Sequence, residues 1–132
     1  INCHSCVNAA AQFAGIAALE GPREPVRKMV AAFAERRRYV IAALNALPGV
    51  RCVEPGGAFY AFPNIAGTGY SSQTFQTELL EKAGVATLSG TSFGALGEDY
   101  VRISYANSLE NIEAAIGRIR DFLGNLPRSD AA

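Results

Sequence analysis

Tryptophan is absent from this chain, methionine and histidine occur once each, and there are three cysteines. An odd number of cysteines does not make a disulfide framework. The expected compartment is therefore the reducing cytosol. Charged residues make up 18% of the chain, below the roughly 25% of an average globular domain. The 12 basic and 12 acidic side chains cancel. A neutral chain offers no electrostatic case for nucleic acid or an anionic membrane surface. No apolar run is long enough to span a bilayer, and no segment reads as a signal peptide. Ile1 stands first in place of methionine, which suggests a piece of a longer chain.

What is present is ample apolar material, 49% of 132 residues, enough for the core of one domain. Residues 6–19 (CVNAAAQFAGIAAL) are alanine-rich and apolar almost all round, the pattern of a helix buried on several sides. Gly21 and Pro22 break it, and proline suits the opening of the next helix. That helix carries Val26, Met29, Val30, Phe33, Val40, Ile41, Leu44 and Leu47 on one stripe. Pro48-Gly49 ends it. Residues 50–53 read as a strand, followed by a turn at Pro55-Gly56-Gly57. Residues 58–62 read as a central strand forming an antiparallel hairpin with the first. A third helix starts at Ser71 or Ser72 and stops at Gly84. Residues 85–88 are a further expected strand, and residues 90–99 a long loop. Residues 100–105 are the best strand, alternating Val101, Ile103 and Tyr105 against Tyr100, Arg102 and Ser104. A last helix, capped by Asn107 or Ser108, turns Leu109, Ile112, Ile116, Ile119 and Leu123 to one side. Residues 127–132 read as a disordered tail. The order predicts an α/β (α+β) fold, a small mostly antiparallel sheet with helices packed on one face.

One residue in this pattern demands chemistry. Arg102 sits mid-strand on the face opposite Val101 and Ile103, which the helical stripes need. A guanidinium there is costly unless an anion meets it. Its planar fork matches a carboxylate in bidentate geometry. A structural ion pair with Glu98 or Asp99 is the competing account.

Three segments, in order and in register, resemble the C-terminal part of class I/II aminotransferases, closest to the aspartate-aminotransferase-like subgroup. They are INCHSCVNAAAQFAGIAALEGP at the start, EPGGAFYAFPNI at residues 54–65, and GVATLSGTSFGALGEDYVRISYANSLENIEAAIGRI at residues 84–119. The last is similar to the family pattern of a G-V-x-V-x-P-G-x-x-F-G loop, then Y-x-R-[IL]-x-[FY]-A, then a capped helix. The resemblance implies the small domain of fold-type I enzymes that use pyridoxal phosphate, spanning residues 1–126. It implies amino-group transfer between an amino acid and a 2-oxo acid, with Arg102 binding the substrate α-carboxylate. Phe59 falls where the family often sets an aromatic near substrate, and core packing explains it equally. Ser89 departs from the pattern, standing where proline usually precedes Gly90. The resemblance further implies a cytoplasmic homodimer in the full-length protein.

The family's cofactor lysine, in an S-x-x-x-K motif, does not appear. The only lysines are Lys28 and Lys82, both expected on exposed helix faces. The chain alone is therefore expected to hold pyridoxal phosphate weakly and not to transaminate.

Other motifs are weaker. Cys3-His4-Ser5-Cys6 has C-x-x-C spacing, but its only further candidate ligand is the distant Cys52. Arg36-Arg37-Arg38 reads as a solvated face. The glycines at 90–97 lack a P-loop lysine, and Gly67-Thr68-Gly69 is too short for a dinucleotide site. Two other readings stay open: a stand-alone α/β domain sensing an amino acid through Arg102, and a dimerisation module. The alanine-rich first helix disfavours a self-contained domain, which would give that helix a polar outer face.

Overall fold

The computed structural model describes residues 6–125. These fall into two compact units that divide after Ala32. The expectations for Cys3, His4 and the tail lie outside the described residues.

The first unit holds helix α1 (Ala9–Glu20) and the opening turns of helix α2 (Glu24–Asn45). Asn8 caps α1, its side-chain oxygen accepting the Ala11 N–H at 3.1 Å. α1 buries none of its residues, contrary to the expectation of a helix enclosed on several sides; Phe13 and Leu19 stand open. Alanine propensity and the Asn8 cap favour this helix locally. α2 opens at Glu24 with Pro25 next, rather than at Pro22. Proline in a first helical turn sacrifices no hydrogen bond. Only the later half of its predicted stripe is enclosed. Val40 and Leu44 are buried, whereas Val26, Met29 and Val30 are exposed.

The second unit is built on three strands in the order β1-β3-β2, both pairs antiparallel. β1 is Tyr60–Ala61, β2 is Leu88–Ser89 and β3 is Val101–Ser104. Three expectations are corrected here. The run at 58–62 is an edge strand, and β3 is central. Residues 50–53 form no strand; a single bridge joins Arg51 to Asn64, with N–H···O distances of 2.9 and 2.7 Å. Of residues 85–88 only Leu88 pairs. An apolar run reports burial, and it does not report which backbone groups find a ladder partner.

Helix α3 (Ser72–Ala83) is capped by Ser71, whose hydroxyl accepts the Thr74 N–H, and ends at Gly84 in the left-handed region (φ 65°). Helix α4 (Leu109–Gly124) is capped by Ser108 in the same manner. It buries Ile112, Ile116, Ile119, Phe122 and Leu123. Each such side chain contributes about 1.5–3 kcal/mol by leaving water. The core joins these to Phe75 and Leu79 of α3, Val40 and Leu44 of α2, and Ala61, Val101 and Tyr105 of the sheet. One sheet face is thus covered by helices, as expected. The other face is left to the site.

Candidate functional site

Strand alternation is realised at β3. Val101 and Tyr105 are buried and point into the core, and Arg102 points to the opposite face. Register then decides its neighbours. Tyr60 pairs with Ser104 and Leu88 with Arg102, so all four side chains share the open face. The guanidinium carbon of Arg102 lies 4.3 Å from the centre of the Tyr60 ring and 4.5 Å from that of Phe93. Phe62 stacks on Tyr100 at 5.4 Å and meets Phe93 edge-on at 6.0 Å, extending an aromatic floor around the charge.

No carboxylate among the described residues pairs with Arg102. Glu98, the competing partner, is committed elsewhere. Its Oε1 accepts the Ser72 N–H at 2.9 Å, the Ser72 hydroxyl at 3.1 Å and the Asp99 N–H at 3.3 Å. The Ser72 N–H first, then the Asp99 N–H and the Ser72 hydroxyl, hold the Glu98 carboxyl below the usual carboxylate range. Arg102 is half-buried, ringed by π faces, and has donors to spare. Such a group is suited to an external planar anion, which a guanidinium meets with two parallel N–H···O bonds.

The residues that place Arg102 are those that fix β3. The Tyr105 hydroxyl donates to the Ala58 carbonyl at 3.1 Å and its N–H to the Phe59 carbonyl at 2.9 Å. Ala58 is held at φ 59°, a region L-residues rarely occupy. Arg37 closes the same corner, donating to the Pro55 carbonyl at 3.0 Å and pairing with Glu54 at 3.3 Å. On the other edge, the Gly90 N–H donates to the Tyr100 carbonyl at 2.8 Å. Gly90 and Gly97 cross so closely that a Cβ on Gly97 would stand 1.9 Å from the Gly90 oxygen. No side chain fits at either position.

The rings over the Arg102 guanidinium are Tyr60 and Phe93, and Phe59 packs elsewhere in the aromatic cluster. It stacks on Phe33 of α2 at 5.9 Å and touches the Tyr60 ring at 4.6 Å. The two rings on Arg102, Tyr60 and Phe93, were not singled out from the sequence. The parity of Tyr60 with Arg102 was available only once the β1–β3 register was known.

The family profile described as aminotransferase class I and II matches residues 1–119. The chain belongs to this family. An aspartate aminotransferase of Pyrococcus horikoshii is 49% identical over 114 residues, which is 85% of this chain and 29% of that protein. The solved aspartate aminotransferase of Rhizobium meliloti superposes with a TM-score of 0.88 at 34% identity, over 94% of this chain and 33% of that one. An alanine aminotransferase of Pyrococcus furiosus gives 0.87 at 34%, over 92% and 31%. The chain therefore spans about a third or less of the length of the relatives it matches.

Family membership raises the question of pyridoxal phosphate, and the residues present do not fit a covalent hold on it. Lys82 donates to Glu78 at 2.8 Å, and this hydrogen bond raises its pKa, keeping it protonated and non-nucleophilic. Lys28 is exposed on α2, paired with Glu24 at 3.6 Å. No reaction step through the cofactor is assigned to the described residues.

Proposed function

We propose that this chain is the C-terminal, substrate-binding part of a pyridoxal-phosphate-dependent aminotransferase, in which Arg102 holds the α-carboxylate of the amino acid and of the 2-oxo acid. One observation carries the reading: a half-buried guanidinium, flanked by Tyr60 and Phe93, with no anionic partner among the described residues. The two rings keep water from the guanidinium faces and leave its edge for the carboxylate. This strengthens the charge-assisted bonds and fixes the substrate's orientation.

The remainder of the reading rests on family membership. The cofactor and its lysine belong to a part of the protein outside these residues, and the chain alone is inactive. The protein is cytoplasmic, and the functional unit is a homodimer. The bare apolar flank of α1 supports a part of a larger protein over a stand-alone sensor of amino acids.

The test is Arg102→Ala in the full-length protein, with amino-donor half-reactions followed by cofactor absorbance. Removing one partner of a desolvated charge pair costs about 2–5 kcal/mol, and the cofactor spectrum before substrate addition should be unchanged. A variant that reacts like wild type makes Arg102 structural and removes the proposal.

A further inference from the structure

Next to the turn that carries Phe93 runs a chain of three hydroxyls, two of them buried, that the carboxylate site does not use. Ser89 ends β2 and is fully buried, as is Ser72 at the start of α3. The Ser89 hydroxyl donates to the Ser72 oxygen at 2.9 Å, and that of Ser72 donates to Glu98 Oε1 at 3.1 Å. Ser89 and Thr91 hydroxyls stand 2.7 Å apart.

A hydroxyl has one proton to give. The Glu98 carboxylate, already accepting two backbone N–H groups, also accepts the hydrogen bond of the Ser72 hydroxyl. Ser72 can then only accept from Ser89. The proton of Ser89 is thereby spent, so Thr91 must be the donor to Ser89. The relay has one direction, from Thr91 through Ser89 and Ser72 to Glu98, and each bond polarises the next. The Ser89 N–H is separately donated to Gln76 Oε1 on α3.

Both ends of the relay bear on one short segment. Ser89 and Thr91 flank Gly90 at the opening of the 3-10 turn Gly90–Phe93, and Glu98 closes the loop that follows. Phe93 is the last residue of that turn, half-exposed, and its ring contacts are Phe62 and Arg102. Its own packing is too sparse to fix the ring. The turn's attachment to α3 must do so.

We propose that the Thr91–Ser89–Ser72–Glu98 relay is a positioning device that sets Phe93 against the Arg102 guanidinium and so tunes the affinity of this site for a substrate carboxylate. The proposal rests on the reading of Arg102 given above. It assigns the relay no contact with substrate. Losing the relay releases Phe93, exposes the guanidinium to water and weakens ground-state and transition-state binding of the carboxylate alike. That signature is a raised KM at unchanged kcat.

The experiment uses the full-length protein and an amino acid it turns over. Thr91 is exposed, so Thr91→Val removes the hydroxyl at nearly constant shape and little risk to folding. Thr91→Ser keeps the hydroxyl. Ser72→Ala interrupts the relay at its centre. Thr91→Val and Ser72→Ala should raise KM roughly 3- to 10-fold, the size of one cation–π contact, with kcat within about twofold. Thr91→Ser should match wild type. In an Arg102→Ala background the Thr91→Val effect should vanish. If Arg102→Ala raises KM and Thr91→Val does not, the relay is structural and this inference falls while the carboxylate reading stands. A fall in kcat at constant KM also overturns it. If Arg102→Ala itself leaves KM unchanged, the carboxylate reading fails and takes this inference with it.

Discussion

Replacing Arg102 by lysine separates charge from geometry at the proposed carboxylate site. The substitution keeps a cation on the open face of β3 but removes the planar fork. Two losses follow. One of two parallel charge-assisted hydrogen bonds disappears, worth about 1.5–3 kcal/mol. The flat contact with Tyr60 at 4.3 Å and Phe93 at 4.5 Å is replaced by a rounder, more strongly hydrated ammonium. That costs about 0.5–1 kcal/mol more. The sum, about 2–4 kcal/mol, corresponds to a loss of roughly 30- to 1,000-fold in kcat/KM. The assay is a single-turnover half-reaction monitored through cofactor absorbance in the full-length protein. It is run in parallel with an amino acid and with the corresponding amine that lacks the carboxylate. Wild type should prefer the amino acid, and Arg102→Lys should lose most of that preference while reacting with the amine as wild type does. Equal losses on both substrates would refute the reasoning, because a residue that binds the α-carboxylate cannot impair a substrate that has none.

Ser89→Pro tests the buried polar joint without bending the chain. Ser89 has φ −56°, which proline adopts readily, so the cost comes from the deleted N–H bond to Gln76 and the deleted hydroxyl. Urea denaturation should show a loss of about 1–3 kcal/mol, and an unchanged midpoint would mean that the joint contributes nothing. Gly97→Ala should destabilise the 90–99 loop and shift the Tyr100 and Phe93 ring signals in NMR spectra, since its Cβ has no room beside the Gly90 carbonyl. Unperturbed spectra would contradict that crossing. Glu98 is held below the usual carboxylate range by N–H donors present only in the folded state. Its contribution to stability is therefore complete above the unfolded carboxyl pKa and is lost as pH falls through the lower, folded value. Glu98→Gln should flatten the acid limb of a stability–pH curve at pH below about 4.3 and leave its neutral limb parallel to wild type. An unaltered acid limb would exclude Glu98 as a contributor.

The elements that were legible in the sequence are those whose signals are local. The pairs Ser71-Ser72 and Asn107-Ser108 and the single Gly84 mark helix ends through bonds spanning a few residues, the caps being Ser71 and Ser108, and the α4 stripe is a period within one segment. The face of Arg102 followed from alternation with Val101 and Ile103 alone. What was not legible depends on convergence across long separations. The 58–62 run is apolar because its core face meets helices, yet its ladder partner is β3, some 40 positions downstream, which makes it an edge. The exposed flanks of α1 and early α2 carry the same apolar pattern as buried helices, since periodicity does not say what covers a stripe. Tyr60 and Phe93 reach Arg102 only through the β1–β3 register and a 3-10 turn that no periodic pattern announces.

That dependence on register explains why an arginine can occupy the central strand at all. A slip of β3 by one residue would turn Arg102 into the core and Val101 out of it, so the site exists only if the register is over-determined. It is pinned from both sides. Tyr105 holds Ala58 and Phe59, the Val101 N–H donates to the Pro63 carbonyl at 3.2 Å, and the Tyr100 carbonyl accepts from Gly90. Each of these contacts lies one or more residues away from Arg102, so none of them uses its side chain. The positive φ at Ala58 and the side-chain-free crossing of Gly90 and Gly97 are local costs of those pins. These costs thus fall next to the edge strands β1 and β2, whose pairing with β3 sets the position of the guanidinium.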